Sequence, residues 1–318
     1  MEIKNNLKIS NISWLSSLSG GGYISTFYQP ETMEELCRLC REFYEEGKKF
    51  DLIGHTSNTL FVPDYHCELM VSTRKLNRFE IKQSEIECQC GTSVRQLALA
   101  ALEEGIKGFE GLVDLPGTIA ASLYGNAGCY GCSISALLIK ATIINVEGVK
   151  EIVGPEWFAF SERSSVLKRG EKRAIILSVT LRREDGEKEE LKAIAEHNHA
   201  TRRATQPEAK NSLGSIFAHS GKPTLLNRSL AAITKLYAII LKMFGEKKDK
   251  IYLKRKHLTF VLLGAADIEP YVRQWNWYQW RDEKSYSLFW KYVRLHRRMF
   301  TNSDFEIEIK HNSNLKIP

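Results

Sequence analysis

A glycine-rich stretch at residues 108–131, GFEGLVDLPGTIAASLYGNAGCYG, constrains this chain more than any other feature. Its glycines are Gly108, Gly111, Gly117, Gly125, Gly128 and Gly131. Glycine is required where the backbone must adopt a positive φ or approach another group closely. Backbone N–H groups exposed along such a run form concave sites for anions. A tight turn would explain an isolated glycine motif, but turns alone do not explain six glycines in one stretch. The stretch therefore predicts a cradle for a phosphate or a cofactor.

A second glycine-led loop follows a short strand predicted at residues 50–53. The loop reads Gly54-His55-Thr56-Ser57-Asn58. A strand that feeds such a polar loop commonly presents backbone donors to a diphosphate. Any position at His55 or Thr56 that needs a positive φ would be strained, because neither residue is glycine.

These two segments resemble the UDP-N-acetylenolpyruvoylglucosamine reductase (MurB) family, whose members are FAD enzymes. Residues 108–131 follow the family pattern G-x-E-x-x-x-G-I-P-G-T-x-G-G-A-x-x-x-N-A-G-A-Y-G, departing at Asp114, Ala120-Ala121 and Cys129. Residues 54–58 resemble the family's G-G-G-S-N loop, and residues 16–30 resemble its opening, with Ser16 at a threonine position. The resemblance implies non-covalent FAD bound at Gly54, His55, Thr56, Ser57, Asn58, Thr59, Pro116, Gly117, Thr118, Asn126, Ala127, Gly128, Tyr130 and Gly131. For His55, a hydrogen-bonding or solvent-facing role is favoured over covalent attachment to a flavin.

Three further motifs occur in the order expected for that family. Arg163 lies in a segment similar to Y-R-x-S-x-F-K, with Glu162 in place of the tyrosine. Ser215 lies in a segment similar to S-A-G-S-x-F, and Glu308 in one similar to L-x-x-E-V. The resemblance implies that Ser215 is the proton donor and that Arg163 and Glu308 stabilise the reaction intermediate. The family's K-N-P after the serine motif is replaced here, which makes His219 the next candidate acid.

The resemblance also implies an α+β fold. It predicts an FAD-binding PCMH-type (vanillyl-alcohol-oxidase-like) module of two subdomains, residues 1–72 and 73–197. A substrate-binding α+β domain at 198–318 follows, and its last strand returns to the FAD module. The implied reaction is NADPH-linked reduction of UDP-N-acetylglucosamine enolpyruvate, an anionic nucleotide-sugar, in peptidoglycan synthesis, cell wall biogenesis and control of cell shape.

A diverged flavoprotein oxidoreductase of the same fold, acting on another nucleotide-sugar or a small substrate, is the alternative. The departures at Asp114, His55-Thr56, Glu162 and His219 favour it, as does a remodelled C-terminal region. The substrate, the choice between NADPH and NADH and the oligomeric state stay open at this point.

Length and composition limit the number of domains and the cellular compartment. Its 318 residues allow two or three domains. No apolar run is long enough to span a membrane and no signal peptide is apparent, so a cytoplasmic protein without a membrane partner is predicted. Seven cysteines are an odd number, which favours reduced thiols. Cys37-x-x-Cys40 and Cys129-x-x-Cys132 lie in a predicted helix and in the cradle, so no metal site is predicted.

The basic excess of the chain is concentrated at residues 235–300. This segment has fifteen Lys/Arg and six Asp/Glu, a charge of +9, whereas the whole chain carries +7. Basic clusters attract phosphates, either of a nucleotide-sugar or of nucleic acid. Trp275, Trp277, Trp280 and Trp290 lie in a stretch predicted to be helical and to form a core or an interface. Nucleic-acid binding therefore rests on this segment alone and is disfavoured.

Helices are predicted at residues 31–46, 93–104 and 187–203. Thr32 is the expected N-cap of the first, and Pro207 the stop of the third. Residues 71–90 alternate as strands do, and 136–146 and 174–181 are rich in β-forming residues.

Overall fold

The computed structural model describes residues 2–9, 21–206, 211–218 and 221–312, which form two compact units. The first unit holds residues 2–9, Gly21–Ser57 and Phe61–Gln206. The second holds Asn58–Leu60 and the described residues from 211 onward. Ser16, Pro207 and His219, which carry predictions from the sequence, lie outside the described residues. Among the described residues, the chain thus contributes two segments to the second unit, first Asn58–Leu60 and then the residues from 211 onward.

The chain up to residue 206 contains both strands and helices. In chain order they are β1 (Glu2–Lys8), β2 (Tyr23–Tyr28), α1 (Met33–Glu45), β3 (Asp51–Ile53), β4 (Thr59–Phe61), β5 (His66–Ser72), β6 (Phe79–Ile81), β7 (Glu85–Gln89), α2 (Val94–Glu103), α3 (Ile119–Tyr124), β8 (Gly128–Cys129), β9 (Cys132–Ser133), α4 (Ile134–Leu137), β10 (Leu138–Asn145), β11 (Lys150–Val153), β12 (Ala174–Arg182) and α5 (Lys188–Thr205). Over the described residues, one sheet has the order β1-β2-β5-β3 and another the order β11-β10-β12-β7-β6. The first sheet mixes parallel and antiparallel pairs, whereas the second is antiparallel.

The core of the first unit is built on β12, the middle strand of the second sheet. Its sequence, AIILSVTLR, buries side chains on both faces of the strand. A strand covered on both faces reads as a nearly continuous apolar run, which explains the weak alternation here. Phe109, Leu112 and Ile119 of the glycine-rich stretch belong to the same buried cluster as Ile176 and Val179. The cradle is therefore anchored from beneath by apolar packing.

Capping side chains set where the first helices begin. Thr32 Oγ1 accepts a hydrogen bond from the Glu35 N–H at 3.1 Å, and Ser93 Oγ accepts one from the Gln96 N–H at 3.4 Å. The three helices expected from the sequence are confirmed to within about two residues at each end. The alternating residues 71–90 include the end of β5 and the strands β6 and β7.

The second unit combines helices with a small sheet. Its elements from residue 211 are β13 (Ser212–Ser215), α6 (Leu225–Met243), α7 (Lys248–Leu262), β14 (Val272–Gln274), β15 (Trp277–Gln279), α8 (Ser285–Met299) and β16 (Glu308–Lys310). Within the described residues, β13, β15 and β14 form a sheet in that order, and β16 pairs with β4. None of the helices described in either unit has the length and apolarity needed to cross a lipid bilayer.

Aromatic side chains form the core of this second unit. Tyr278, Phe289 and Tyr292 are fully buried and pack against one another. The expectation that the tryptophans serve a core is confirmed, since Trp277 and Trp280 are buried. The helix expected around them is wrong for Trp275, Trp277 and Trp280, because residues 272–279 form the β14–β15 hairpin and a helix begins only at Ser285. It is confirmed for Trp290, which lies in α8.

The predicted boundaries at residues 72 and 197 and the return of the last strand stay predictions. The observed pairing of β16 with β4 joins the C-terminal strand to residues near position 60. Leu60 is buried in the aromatic core of the second unit, together with Ile307. The segment Asn58–Leu60 is accordingly a structural part of the second unit.

His296 is a buried titratable group in the second unit. Its ring stacks on Phe217 with 3.9 Å between the ring centroids, and its Nδ1 lies 3.1 Å from Ser303 Oγ. Burial, with a smaller contribution from the Arg297 cation, lowers the pKa of His296 to about 4. The folded state therefore holds a neutral imidazole at pH values where the unfolded chain binds a proton.

We expect the free energy of unfolding to fall as the pH drops from about 6.5 to about 4, because only the unfolded state takes up the proton in this range. The loss should be on the order of 3 kcal/mol and should be complete below the folded pKa. His296→Phe keeps an aromatic ring but removes the titration, so its unfolding should lose this part of the pH dependence. Urea unfolding followed by tryptophan fluorescence suits this measurement, because four of the six tryptophans lie in the same unit as His296. They are Trp275, Trp277, Trp280 and Trp290. Equal pH slopes for wild type and variant would contradict the assignment.

Candidate active site

The two glycine-bearing segments of the first unit lie directly against each other. A Cβ atom on Gly54 would stand 2.5 Å from Oγ1 and 3.0 Å from Cγ2 of Thr118. Gly117 has a φ of +115°, and a Cβ there would stand 3.4 Å from Ser57 Oγ. The loop at residues 54–57 and the cradle are thus in direct contact. Only glycine permits this approach at position 54.

Thr118 fixes the middle of the cradle, where α3 begins. It is buried, and its Oγ1 caps α3 by accepting a hydrogen bond from the Ala121 N–H at 3.4 Å. The Ile119 N–H donates to the Thr92 carbonyl at 2.8 Å, and the Val94 N–H donates to the Gly117 carbonyl at 3.2 Å. The cradle is therefore held at the N-terminus of α2 by backbone hydrogen bonds.

Several residues of the predicted site have a backbone that L-amino acids rarely adopt. Thr56, Asn126, Tyr130 and Arg163 have φ values of 55°, 46°, 49° and 54°. The strain expected at a non-glycine residue of the 54–58 loop is therefore present at Thr56, whose β-branched side chain makes it a clear outlier. Such positions cost about 1–3 kcal/mol each and persist where the surroundings hold them.

Hydrogen bonds tie the loop that carries Arg163 to the cradle. Arg163 Nη1 donates to the Gly128 carbonyl at 2.7 Å. Asn126 Nδ2 donates to the Ser161 carbonyl at 2.8 Å. The structure thus brings Arg163 to the cradle, as the order of the motifs suggested.

Asn126 also carries an unsatisfied acceptor. Its Oδ1 is buried and has no hydrogen-bond partner in the part of the chain that the structure describes. Leaving a buried polar atom unpaired costs about 1–3 kcal/mol, so such atoms call for an explanation. An N–H donor on a ligand in the cradle would satisfy this atom.

The end of the cradle is a tight hairpin. Tyr130 and Gly131, with φ values of 49° and 80°, form the two-residue turn between β8 and β9. Cys129 and Cys132 are paired across this hairpin, and both are free thiols. A Cβ on Gly128 would stand 2.4 Å from the Cys132 carbonyl oxygen. Among the described residues, no group of three or more His, Cys, Asp or Glu side chains is arranged to hold a metal ion.

His55 is half-buried in the first loop. Burial, followed by the nearby Arg74 cation, lowers the pKa of His55 below its ordinary value. A neutral imidazole is therefore favoured at this position, and such a ring can both donate and accept a hydrogen bond.

Asn58 and Thr59, also predicted to bind FAD, belong to the second unit. The Asn58 carbonyl accepts from the Glu308 N–H at 2.9 Å, and Asn58 Nδ2 donates to the Glu306 carbonyl at 3.0 Å. The side chain and the backbone of Asn58 thus bind the strand that carries Glu308.

Ser215 and Glu308 are brought onto neighbouring backbone segments in the second unit. The Glu306 N–H donates to the carbonyl of Ile216, the residue after Ser215, at 2.9 Å. Gly214, which precedes Ser215, has a φ of +80°, a conformation that favours glycine. Arg163 lies in the first unit, so each unit contributes to the set of residues predicted to be catalytic.

Several known proteins are similar to this chain. Residues 24–151 match the family model described as FAD binding domain. The UDP-N-acetylenolpyruvoylglucosamine reductase of Acaryochloris marina is 29% identical over 274 residues, which cover 85% of this chain and 86% of that protein. The reductase of Caldicellulosiruptor saccharolyticus is 29% identical over 227 residues, covering 68% and 73%, and that of Fervidobacterium nodosum is 29% identical over 197 residues, covering 62% and 63%.

This chain is thus similar to UDP-N-acetylenolpyruvoylglucosamine reductases at 26–29% identity and contains an FAD binding domain. In fold it is similar to the crystal structure of this reductase (MurB) from Thermus caldophilus, with a TM-score of 0.69 and 19% identity over 97% of this chain and 99% of that one. The α+β fold class with an FAD-binding module is therefore confirmed.

The divergence from the reductase family has a structural counterpart at Asp114. Its Oδ2 lies 2.8 Å from His199 Nδ1, and its carbonyl accepts from Arg202 Nη1 at 2.9 Å. Asn198 Nδ2 donates to the Glu110 carbonyl at 3.3 Å. Helix α5 is thus fastened to the cradle. The sequence signalled this only indirectly, through a carboxylate where the family pattern has glycine.

Asn276 is a further residue that sequence reasoning missed. Its Oδ1 accepts from the Phe217 N–H and its Nδ2 donates to the Phe217 carbonyl, both at 2.7 Å. The Ile216 N–H donates to the Asn276 carbonyl at 3.2 Å. The Asn276 side chain therefore takes the place of a backbone hydrogen-bonding partner beside Ser215. No local pattern in the sequence predicts such a role.

Proposed function

We propose that this protein is an FAD-dependent oxidoreductase that reduces UDP-N-acetylglucosamine enolpyruvate to UDP-N-acetylmuramate with NADPH. The proposed setting is the cytoplasm and the synthesis of peptidoglycan precursors. The close approach of Gly54 to Thr118 is the observation that carries this proposal. It joins two glycine-bearing segments within the residues that match the FAD binding domain.

The residues of the cradle fit a flavin nucleotide. Backbone N–H groups of glycine-bearing loops suit a diphosphate, and the segments 54–57 and 116–131 provide two such loops. The buried Asn126 Oδ1 suits an N–H donor of a flavin ring. We assign FAD binding to these segments and to Asn58 and Thr59.

Saturating a carbon–carbon double bond requires a hydride on one carbon and a proton on its neighbour. FAD, when bound, supplies hydride-transfer chemistry and accepts its electrons from NADPH. Ser215 donates the proton from its hydroxyl group. The Arg163 guanidinium stabilises negative charge that develops on the substrate carboxylate, and Glu308 completes the set of polar groups.

Anaerobic spectroscopy of the purified full-length chain tests the proposed reaction. NADPH should bleach the flavin absorbance, and UDP-N-acetylglucosamine enolpyruvate should then restore it. NADH under the same conditions is the matched control for the donor. Bleaching without reoxidation by this substrate would replace the proposal with the diverged flavoprotein, and a colourless protein that cannot be reconstituted with FAD would overturn both.

Gly54→Ala should weaken FAD binding, because the new Cβ collides with the buried Thr118 and separates the two loops. Overpacking of this kind costs about 1–3 kcal/mol, so we expect the Kd for FAD to rise about tenfold or more. Gly125→Ala is the matched control, since its Cβ would meet only the Ala121 carbonyl oxygen, at 3.6 Å. Flavin fluorescence titration of the apoprotein measures both. Equal affinity in the two variants would show that the Gly54 contact does not shape the FAD site.

Ser215→Ala should separate proton donation from flavin reduction. We expect FAD content and NADPH-driven bleaching to stay near wild type, while substrate-driven reoxidation slows by about 10²–10⁴-fold. Glu308→Gln should behave similarly, because it keeps the shape of the side chain and loses the charge. Ser229→Ala, at an exposed serine of the same unit, is the control. Stopped-flow absorbance follows both half-reactions, and wild-type reoxidation in Ser215→Ala would exclude the serine as the acid.

A further inference from the structure

Helix α6 exposes an apolar stripe that takes no part in the core. Ile233, Leu236, Ile240 and Met243 are spaced by three, four and three residues, which places them on one face of the helix. All four are exposed, while Leu230 and Thr234 of the same helix are buried. Helix α6 packs against α7 and α8. It is therefore apolar on an outer face in addition to the face that it buries.

The stripe ends where α6 turns into α7. Met243 is 80% exposed and the adjoining Phe244 is 86% exposed, the largest fraction among the large apolar side chains described. Gly245 follows with a φ of +76° and lets the chain reverse. Solitary exposed apolar residues need no explanation, but a contiguous apolar surface marks a binding site. We name Ile233, Leu236, Ile240, Met243 and Phe244 the α6 patch.

Lysines surround this end of the helix. Residues 242–257 contain seven Lys/Arg and two Asp/Glu, a net charge of +5. Lys242, Lys247, Lys248 and Lys250 are exposed. Of the two acidic residues, Glu246 is already engaged in an ion pair with Lys254. The apolar end of α6 is thus surrounded by positive charge.

The charge selects among the possible occupants of the patch. A symmetric contact with a second copy of the chain would bring the same lysines together, and like charges oppose such an association. An anionic lipid bilayer attracts lysines and offers an apolar interior beneath its phosphate groups. Lysine side chains beside an inserted apolar face reach those phosphates with their ammonium groups.

We propose that the α6 patch docks the protein on the surface of an anionic lipid bilayer. Met243 and Phe244 enter the boundary between headgroups and acyl chains, and the stripe on α6 lies along that boundary. Lys242, Lys247, Lys248 and Lys250 bind lipid phosphates. The lack of a spanning segment in the sequence predicts no membrane partner, but it does not bear on docking at the surface of a bilayer. This inference is independent of the proposed reaction.

Co-sedimentation of the full-length, FAD-reconstituted protein with vesicles tests the proposal. We expect binding to equimolar phosphatidylglycerol and phosphatidylcholine, weak or no binding to pure phosphatidylcholine, and release as salt is raised. Phe244→Ser combined with Met243→Ser should weaken binding about tenfold or more. Replacing any one of the four lysines by glutamine should weaken vesicle binding about fivefold.

Ile152→Ser is the matched control, since Ile152 is a large, exposed apolar residue of the first unit. It should bind vesicles as the wild type does, and circular dichroism and thermal unfolding should show all variants folded. Three results would overturn the proposal. They are absence of vesicle binding by the wild type, equal binding by the control and the Met243/Phe244 variant, and a stable dimer that dissociates in that variant and binds no vesicles. Capture of an acidic protein through the patch, without affinity for vesicles, would assign the site to that partner instead.

Discussion

The absence of a Cβ atom at Gly54 is the constraint on which the site in the first unit depends. It lets the loop after β3 approach the buried side chain of Thr118, and Thr118 in turn caps the helix in the middle of the cradle. The other supports of the cradle act from beneath and from the side. Phe109 and Ile119 fix it to the core, while Arg163 fixes it to the following loop. Each of these contacts holds part of the cradle backbone in place.

Main-chain contacts also organise the second unit around Ser215 and Glu308. Asn58, Glu306 and Ile216 form a continuous series of hydrogen bonds, and Asn276 supports the backbone next to Ser215. Strained φ angles occur at Thr56, in the cradle and at Arg163, but the segment around Ser215 uses glycine at its positive-φ position. In the first unit, several residues assigned to a ligand therefore have a strained φ, whereas the positive φ next to Ser215 is adopted by glycine.

The sequence predicted those features that depend on local chemistry. Thr32 was predicted as an N-cap because a hydroxyl group caps the backbone within one turn, and the glycines of residues 108–131 predicted the cradle because φ is a property of single residues. The β14–β15 hairpin was not predicted, because the periodicity of its short aromatic run fits a helix or a strand. Burial in the tertiary core decided between the two. The roles of His199 and Asn276 were not predicted, for a related reason. Their partners, Asp114 and Phe217, are far away in the sequence, and only the fold brings them together.

Because Asn58–Leu60 belongs to the second unit, one part of that unit is synthesised long before the rest of it. Leu60 and the strand β4 leave the ribosome early, but their partners Ile307 and β16 are made only when translation has reached residue 310. Until then, an apolar side chain and an unpaired strand edge stay accessible to other chains. The first unit can fold during translation, as N-terminal domains generally do, whereas the second closes only after nearly the whole chain has been made. A fragment that begins at residue 211 would lack one strand of its own fold.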